Sequence, residues 1–176
     1  GASTNDVWAV GQGGKILRWN GSAWIAQTSN TVSSLFGVWG ADPNNVWAIG
    51  AGGTILKWNG TNWNAQNSGT TQGLRGIWGA DSTDIWVAGS FGTILHWNGS
   101  SWSSTDGVTD TDLGAVWGSG PNDVWFSGGS PDEVHHWNGT TWSVEYLSSW
   151  SYINDLWGTT STDVWAVGAV IHKWNG

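Results

Sequence analysis

The sequence predicts an all-β fold: a β-propeller of four-stranded antiparallel blades, with five repeats in the chain and an incomplete first and last blade. Three observations carry this. Trp-Asn-Gly recurs five times, with its indole at Trp19, Trp58, Trp97, Trp137 and Trp174. Each recurrence belongs to a unit of about 39 residues, which when complete holds four short segments rich in β-branched and aromatic residues. No segment of helical length shows a 3.6-residue apolar period. Four strands in about 40 residues is the size of one blade.

The segments follow in order. The first, present from the second unit on, places an indole before glycine at Trp39, Trp78, Trp117 and Trp157. The second carries Trp8, Trp47, Trp86, Trp125 and Trp165. The third ends in Trp-Asn-Gly, and the fourth opens on Trp24, Trp63, Trp102 and Trp142. These four sets take 18 of the 19 tryptophans and leave Trp150 over. Each segment is bounded by Gly, Asn, Asp, Ser or Pro, the residues of tight turns. The units run 1–34, 35–73, 74–112, 113–152 and 153–176, within a single domain of residues 1–176.

Between the third and fourth segments, Asn59-Gly60 predicts a two-residue type I′ turn, which needs positive φ at both positions. Trp58 then faces Thr61, and Leu56 faces Trp63. All four lie on one face with the indoles diagonal, while Lys57 and Asn62 take the other face. A blade is packed on both faces, and each indole buries ~150–250 Å². The indoles therefore read as glue between blades, or, near blade edges, as platforms for sugar rings.

The ends do not match. The first unit lacks the first segment and the last unit lacks the fourth. The chain could make a five-bladed ring with two three-stranded blades. Residues 153–158 could instead complete the first blade, leaving four blades and a surplus hairpin. Or the chain could be part of a larger ring. Exposed edges at both ends predict self-association through the incomplete terminal blades.

Composition narrows the function. With five Lys and Arg against 13 Asp and Glu, the net charge is −8, so no basic face exists to neutralise nucleic-acid phosphates or an anionic membrane. No apolar run is long enough for membrane insertion. Without cysteine there is neither a disulfide nor a thiolate metal site. A chain that opens on Gly1 and holds no Met reads as a processed, excised or engineered segment.

One constellation stands out. The residue before each Trp-Asn-Gly is Arg18, Lys57, His96, His136 or Lys173, in a chain with few basic residues. Symmetry places one per blade, opposite the paired indoles. With Trp24, Trp63, Trp102 and Trp142 they form candidate ligand-binding sites, or else cation–π filling between blades. His135 and His172 replace a core Leu. His135 and His136 point to opposite faces, so no metal site is expected. Asp6, Asp84, Asp123 and Asp163, with Asn45 in the remaining unit, precede the second segment and predict turn capping. Their near-identity argues against catalysis, which needs carboxylates in unlike environments. Asp110, Asp112, Asp132 and Glu133 read as solvated loop charges. A Ca²⁺ site over Asp106–Asp112 lacks ligand spacing. The sequons at Asn20, Asn59, Asn98 and Asn138 coincide with the hairpin turns.

The pattern DVWAVGxGGxIL-x-WNGxxW resembles the tryptophan-rich propeller repeats of large bacterial surface and secreted proteins. In layout it is similar to Asp-box and photosystem-assembly-type repeats. The resemblance implies a propeller and a secreted or cell-surface location, and it leaves function open. The Asp-box itself is not met, because Trp97-Asn98-Gly99-Ser100-Ser101-Trp102 has Asn in place of Asp. Arg18 and Arg75 are too few for a sialidase arginine cluster. The expected function is a non-enzymatic binding module without cofactor, lectin-like, with glycans as partners. The alternative is an engineered or excised scaffold with no ligand of its own.

Overall fold

A computed structural model of the chain describes residues 5–105, 108–128, 133–147 and 153–176. It contains five antiparallel sheets, each a meander of consecutive strands. The first holds β1 (Val7–Val10), β2 (Ile16–Trp19) and β3 (Trp24–Gln27). The second holds β4 (Leu35–Asp42), β5 (Asn45–Gly50), β6 (Ile55–Trp58) and β7 (Trp63–Gln66). The third holds β8 (Leu74–Asp81), β9 (Asp84–Gly89), β10 (Ile94–Trp97) and β11 (Trp102–Ser104). The fourth holds β12 (Leu113–Gly120), β13 (Asp123–Gly128), β14 (Glu133–Trp137) and β15 (Trp142–Tyr146). The fifth holds β16 (Ile153–Thr160), β17 (Asp163–Gly168) and β18 (Ile171–Trp174). This is a propeller arc with three complete and two three-stranded blades.

The blades fan out from one edge, because β4, β8, β12 and β16 pack successively on one another. Strand alternation gives each blade a forward face, toward its successor, and a back face, toward its predecessor. Trp8 and Ile16 on the forward face of blade one meet Val46, Ala48, Leu56, Trp58 and Trp63 on the back face of blade two. Equivalent clusters fill the next three interfaces. The indole of the second strand makes each contact. Trp8 lies 5.3 Å from Trp58 and 5.2 Å from Trp63. Trp47 lies 5.0 Å from Trp97 and 5.4 Å from Trp102. These are the tilted and edge-on geometries that aromatic quadrupoles favour.

The glycines that follow Trp78, Trp117 and Trp157 each meet the first-strand indole of the blade before. A Cβ on Gly79 would stand 2.6 Å from the Trp39 ring, and one on Gly158 would stand 2.6 Å from Trp117. The rings of Trp39, Trp78 and Trp117 come so close to the next blade's backbone that these positions admit no side chain.

Two expectations are corrected. First, the connection after Trp58 is a four-residue loop, with the Asn59 amide donating to the Asn62 carbonyl at 3.3 Å. The Asn59 Oδ1 accepts the amides of Thr61 and Asn62, at 3.0 and 2.9 Å, and Gly60 takes φ +94°. An Asn side chain that satisfies two turn amides makes the longer loop favourable. Trp58 therefore pairs directly with Trp63, Leu56 with Ala65 and Lys57 with Asn64. Second, residues 153–158 do not complete the first blade: β16 pairs with β17, from Ile153 opposite Gly168 to Thr160 opposite Asp163. Nor do the described residues close a five-bladed ring, since no strand of blade one packs extensively on blade five.

Candidate functional site

The basic residue before Trp-Asn-Gly falls at one point in every blade, on the forward face opposite the paired indoles. In blades one, three, four and five it is gripped between the second-strand indole and the Asp at the start of that strand. Arg18 Nε donates to Asp6 Oδ1 at 2.7 Å, and its guanidinium lies 4.9 Å from the Trp8 ring. His96 stacks on Trp86 at 4.0 Å with Nε2 2.8 Å from Asp84, and His136 stacks on Trp125 at 3.9 Å with Nε2 2.7 Å from Asp123. Lys173 Nζ lies 2.9 Å from Asp163 and 4.9 Å from the Trp165 ring. Trp125 and Trp165 donate their Nε1–H to the same carboxylates, at 2.9 and 3.1 Å.

These carboxylates were expected to cap turns. They bind across to the third strand, because the register sets the Asp beside the cation of its own blade, and on the turn side Asp123 and Asp163 accept the hydroxyls of Ser119 and Thr159 rather than backbone amides. Turn capping falls to the residue three positions earlier in two blades. Asp42 Oδ1 accepts the Asn44 amide at 2.8 Å, and Asp81 Oδ1 accepts the Thr83 amide at 2.7 Å. Hydrogen bonds hold these carboxyls below the ordinary range: chiefly the Asn44 amide for Asp42 and the Thr83 hydroxyl for Asp81. Asp163 is lowered too, first by the Thr159 hydroxyl and then by Lys173. In blade two, Asn45 donates to Asp42 Oδ2 at 2.7 Å. Lys57 accordingly makes no ion pair among the described residues and sits between two indoles, 4.8 Å from Trp47 and 5.3 Å from Trp97.

The predicted ligand residues thus meet at the blade interfaces. Of the fourth-strand indoles, Trp24 is exposed, Trp63 is buried, and Trp102 and Trp142 are half-buried. His135 occupies the position of Leu56 and Leu95, facing blade three. Burial draws its pKa down against the opposing pull of Glu133, so it is neutral at neutral pH. The described residues contain no His, Cys, Asp or Glu group of three that could hold a metal. Asp106, Asp132 and Trp150 lie outside the described residues. Neither Asp112 nor Glu133 is merely solvated: Asp112 pairs with Arg75 at 3.5 Å, and Glu133 lies 3.3 Å from His135.

Two equivalent grooves open between blades. One, of about 410 Å³, lies between blades one and two and is lined by Thr31, Thr54, Trp63 and Asn64. The other, of about 430 Å³, lies between blades two and three and is lined by Ser68, Thr70, Phe91, Trp102, Thr105 and Asp110. The second differs in a way the sequence reading missed. Phe91 adopts φ +53° at the turn position where the first two units have Gly13 at +65° and Gly52 at +63°. Left-handed backbone costs a bulky L-residue roughly 1–2 kcal/mol. The turn is held by the Phe91 amide donating to Asp112 Oδ1 at 2.9 Å. The ring is 71% exposed at the mouth of the groove. The signal in the sequence was Phe91-Gly92 in the third unit, where the first two units have Gly13-Gly14 and Gly52-Gly53.

No family model and no curated protein matches the chain. Among solved structures, YCF48 bound to D1 peptide is similar over 100% of this chain and 63% of its own, at 15% identity and TM-score 0.75. YCF48 from Cyanidioschyzon merolae is similar over 97% and 66%, at 19% identity and TM-score 0.71. The WD40 β-propeller domain of Doa1 is similar over 94% and 58%, at 14% identity and TM-score 0.77. The chain spans less than two thirds of the length of these structures. At such identities the likeness is one of fold, and the fold it shows is the β-propeller.

Proposed function

We propose that the chain is a non-enzymatic binding module that takes a carbohydrate in the groove between blades two and three. One observation carries this: Phe91 is an exposed aromatic residue in a backbone conformation that costs free energy, at a turn where the first two units use glycine. Strain retained at an exposed position, without burial to offset it, points to a binding role. The apolar C–H face of a sugar ring would stack on Phe91. Its hydroxyls would meet the Asp110 carboxylate and the Thr105 hydroxyl, with the Trp102 indole as one wall. Among its lining residues the groove has a single carboxylate, Asp110. Glycoside hydrolysis needs an acid and a second carboxylate, so binding without cleavage is the favoured chemistry.

The clasps of Arg18, Lys57, His96, His136 and Lys173 serve in this reading as supports for the groove walls. A glycan array, followed by titration of Phe91→Gly and Trp102→Ala, tests the proposal. Phe91→Gly is expected to weaken sugar binding about tenfold or more while leaving thermal stability unchanged or raised, since it relieves the strained φ. Unchanged affinity in Phe91→Gly would sink the groove assignment. YCF48 has been solved bound to D1 peptide, so a peptide library belongs in the same screen. A chain that binds neither class reads as a scaffold.

A further inference from the structure

We propose that the chain associates head to tail, the forward face of blade five receiving the back face of blade one of a second copy. Four times in this molecule a second-strand indole packs on the third-strand indole of the next blade. Trp8 meets Trp58, Trp47 meets Trp97, Trp86 meets Trp137 at 6.3 Å, and Trp125 meets Trp174 at 5.5 Å. Trp165 is the fifth of these second-strand indoles, and Lys173 is its ring partner on the forward face. At the other end Trp19 and Trp24 pack on each other at 5.8 Å, as Trp58 and Trp63 do, and among the described residues no second-strand indole is set against them.

The surrounding residues match in the same way. On the back face of blade one, Leu17 is 39% and Trp24 49% exposed, whereas their counterparts Leu56 and Trp63 are each 2% exposed. On the forward face of blade five, Val167 is 38% and Ile171 68% exposed, against 0% for Ile49 and 1% for Ile55 in blade two. Each end therefore presents one half of an interface that the chain builds four times internally, and the two halves are complementary rather than identical. Such a contact is heterologous: it adds copies in one direction, giving a ring where the rotation closes and a filament where it does not. The occupant is a second copy because, among the described residues, the exposed Val167 and Ile171 of one end match the exposed Leu17 and Trp24 of the other in the order used at the internal interfaces. The faces of the terminal blades, rather than their strand edges, carry the contact.

Sedimentation of the chain over a wide concentration range tests this. The expected mass rises above the 18.8 kDa monomer as concentration increases. Trp24→Glu and Ile171→Glu each place a charge on an exposed position of one face, and each is expected to weaken association about tenfold or more. Mixed in equal amounts, the two variants retain one intact forward face and one intact back face between them, and a heterodimer returns. Unchanged tryptophan circular dichroism confirms that each variant is folded, and Leu17→Lys with Val167→Lys supplies a second pair. A wild-type chain monomeric throughout overturns the proposal and assigns the faces to another occupant. So does a mixture that stays monomeric, or a single variant that still self-associates, since either outcome excludes the head-to-tail contact.

Discussion

Blade two and the two terminal blades are written in nearly the same residues and end in different environments. Ile55 is shut away, and its counterpart Ile171 lies open; Trp63 is buried, and Trp24 is half in water. The local strand pairing is the same in both, with Trp58 opposite Trp63 and Trp19 opposite Trp24. Burial in this molecule is therefore set by the neighbouring blade and not by the residue's own unit. Stability follows as a sum of repeat and nearest-neighbour terms.

The largest test of that contrast replaces one indole in each environment. Trp47→Ala removes a fully buried ring and is expected to cost about 3–5 kcal/mol. Trp24→Ala is expected to cost under about 1 kcal/mol in the monomer. Urea unfolding of both variants measures the gap, and equal costs would end the neighbour argument.

Gly79 and Gly40 make a sharper pair, because they hold the same place in successive blades. A Cβ at Gly79 runs into the Trp39 ring at 2.6 Å, whereas one at Gly40 meets only Val46 at 3.0 Å and the Asn45 carbonyl at 3.5 Å, with no first-strand indole beside it among the described residues. Gly79→Ala is expected to lose about 1–3 kcal/mol through overpacking. Gly40→Ala should lose well under half of that, by the same unfolding measurement.

The smallest effect concerns a single interface. His135 stands where Leu56 and Leu95 stand, and burial lowers its pKa below the ordinary 6.5. The folded chain thus binds that proton less readily than the unfolded chain. Its contribution is full above pH 6.5 and is lost as pH falls from there toward the folded value. The lowered carboxyls of Asp42, Asp81 and Asp163 act in a separate window, below their ordinary 3.8. His135→Leu is expected to raise the melting temperature by a few degrees near pH 5, with a smaller gain at pH 8. A gain independent of pH would assign the effect to packing alone.

Much of this was legible in the sequence. The strand order, the five-unit count and the separation of paired indoles from basic residues all follow from spacing and alternation. The hairpin register did not, because the side chain of Asn59 competes for the turn amides and lengthens the loop, and that competition is invisible to a dipeptide rule. The carboxylate clasps were misread as turn caps because the choice between two nearby partners depends on register. Phe91 was missed because one residue in a glycine turn carries no periodic signal; its meaning lies in a backbone angle. The unmatched faces at the ends were read as unmatched strands, since exposure of a whole surface depends on what stands beside it.

The indole laid over the next blade's glycine has a wider consequence. Trp39 meets Gly79 just as Trp78 meets Gly118 and Trp117 meets Gly158, so this contact has the same form at three successive joints. Excising or duplicating one whole period leaves every remaining joint with a correct mate. A gene encoding such a protein can lengthen or contract by unequal recombination while the product stays well packed at each step, which makes this architecture unusually open to change in size.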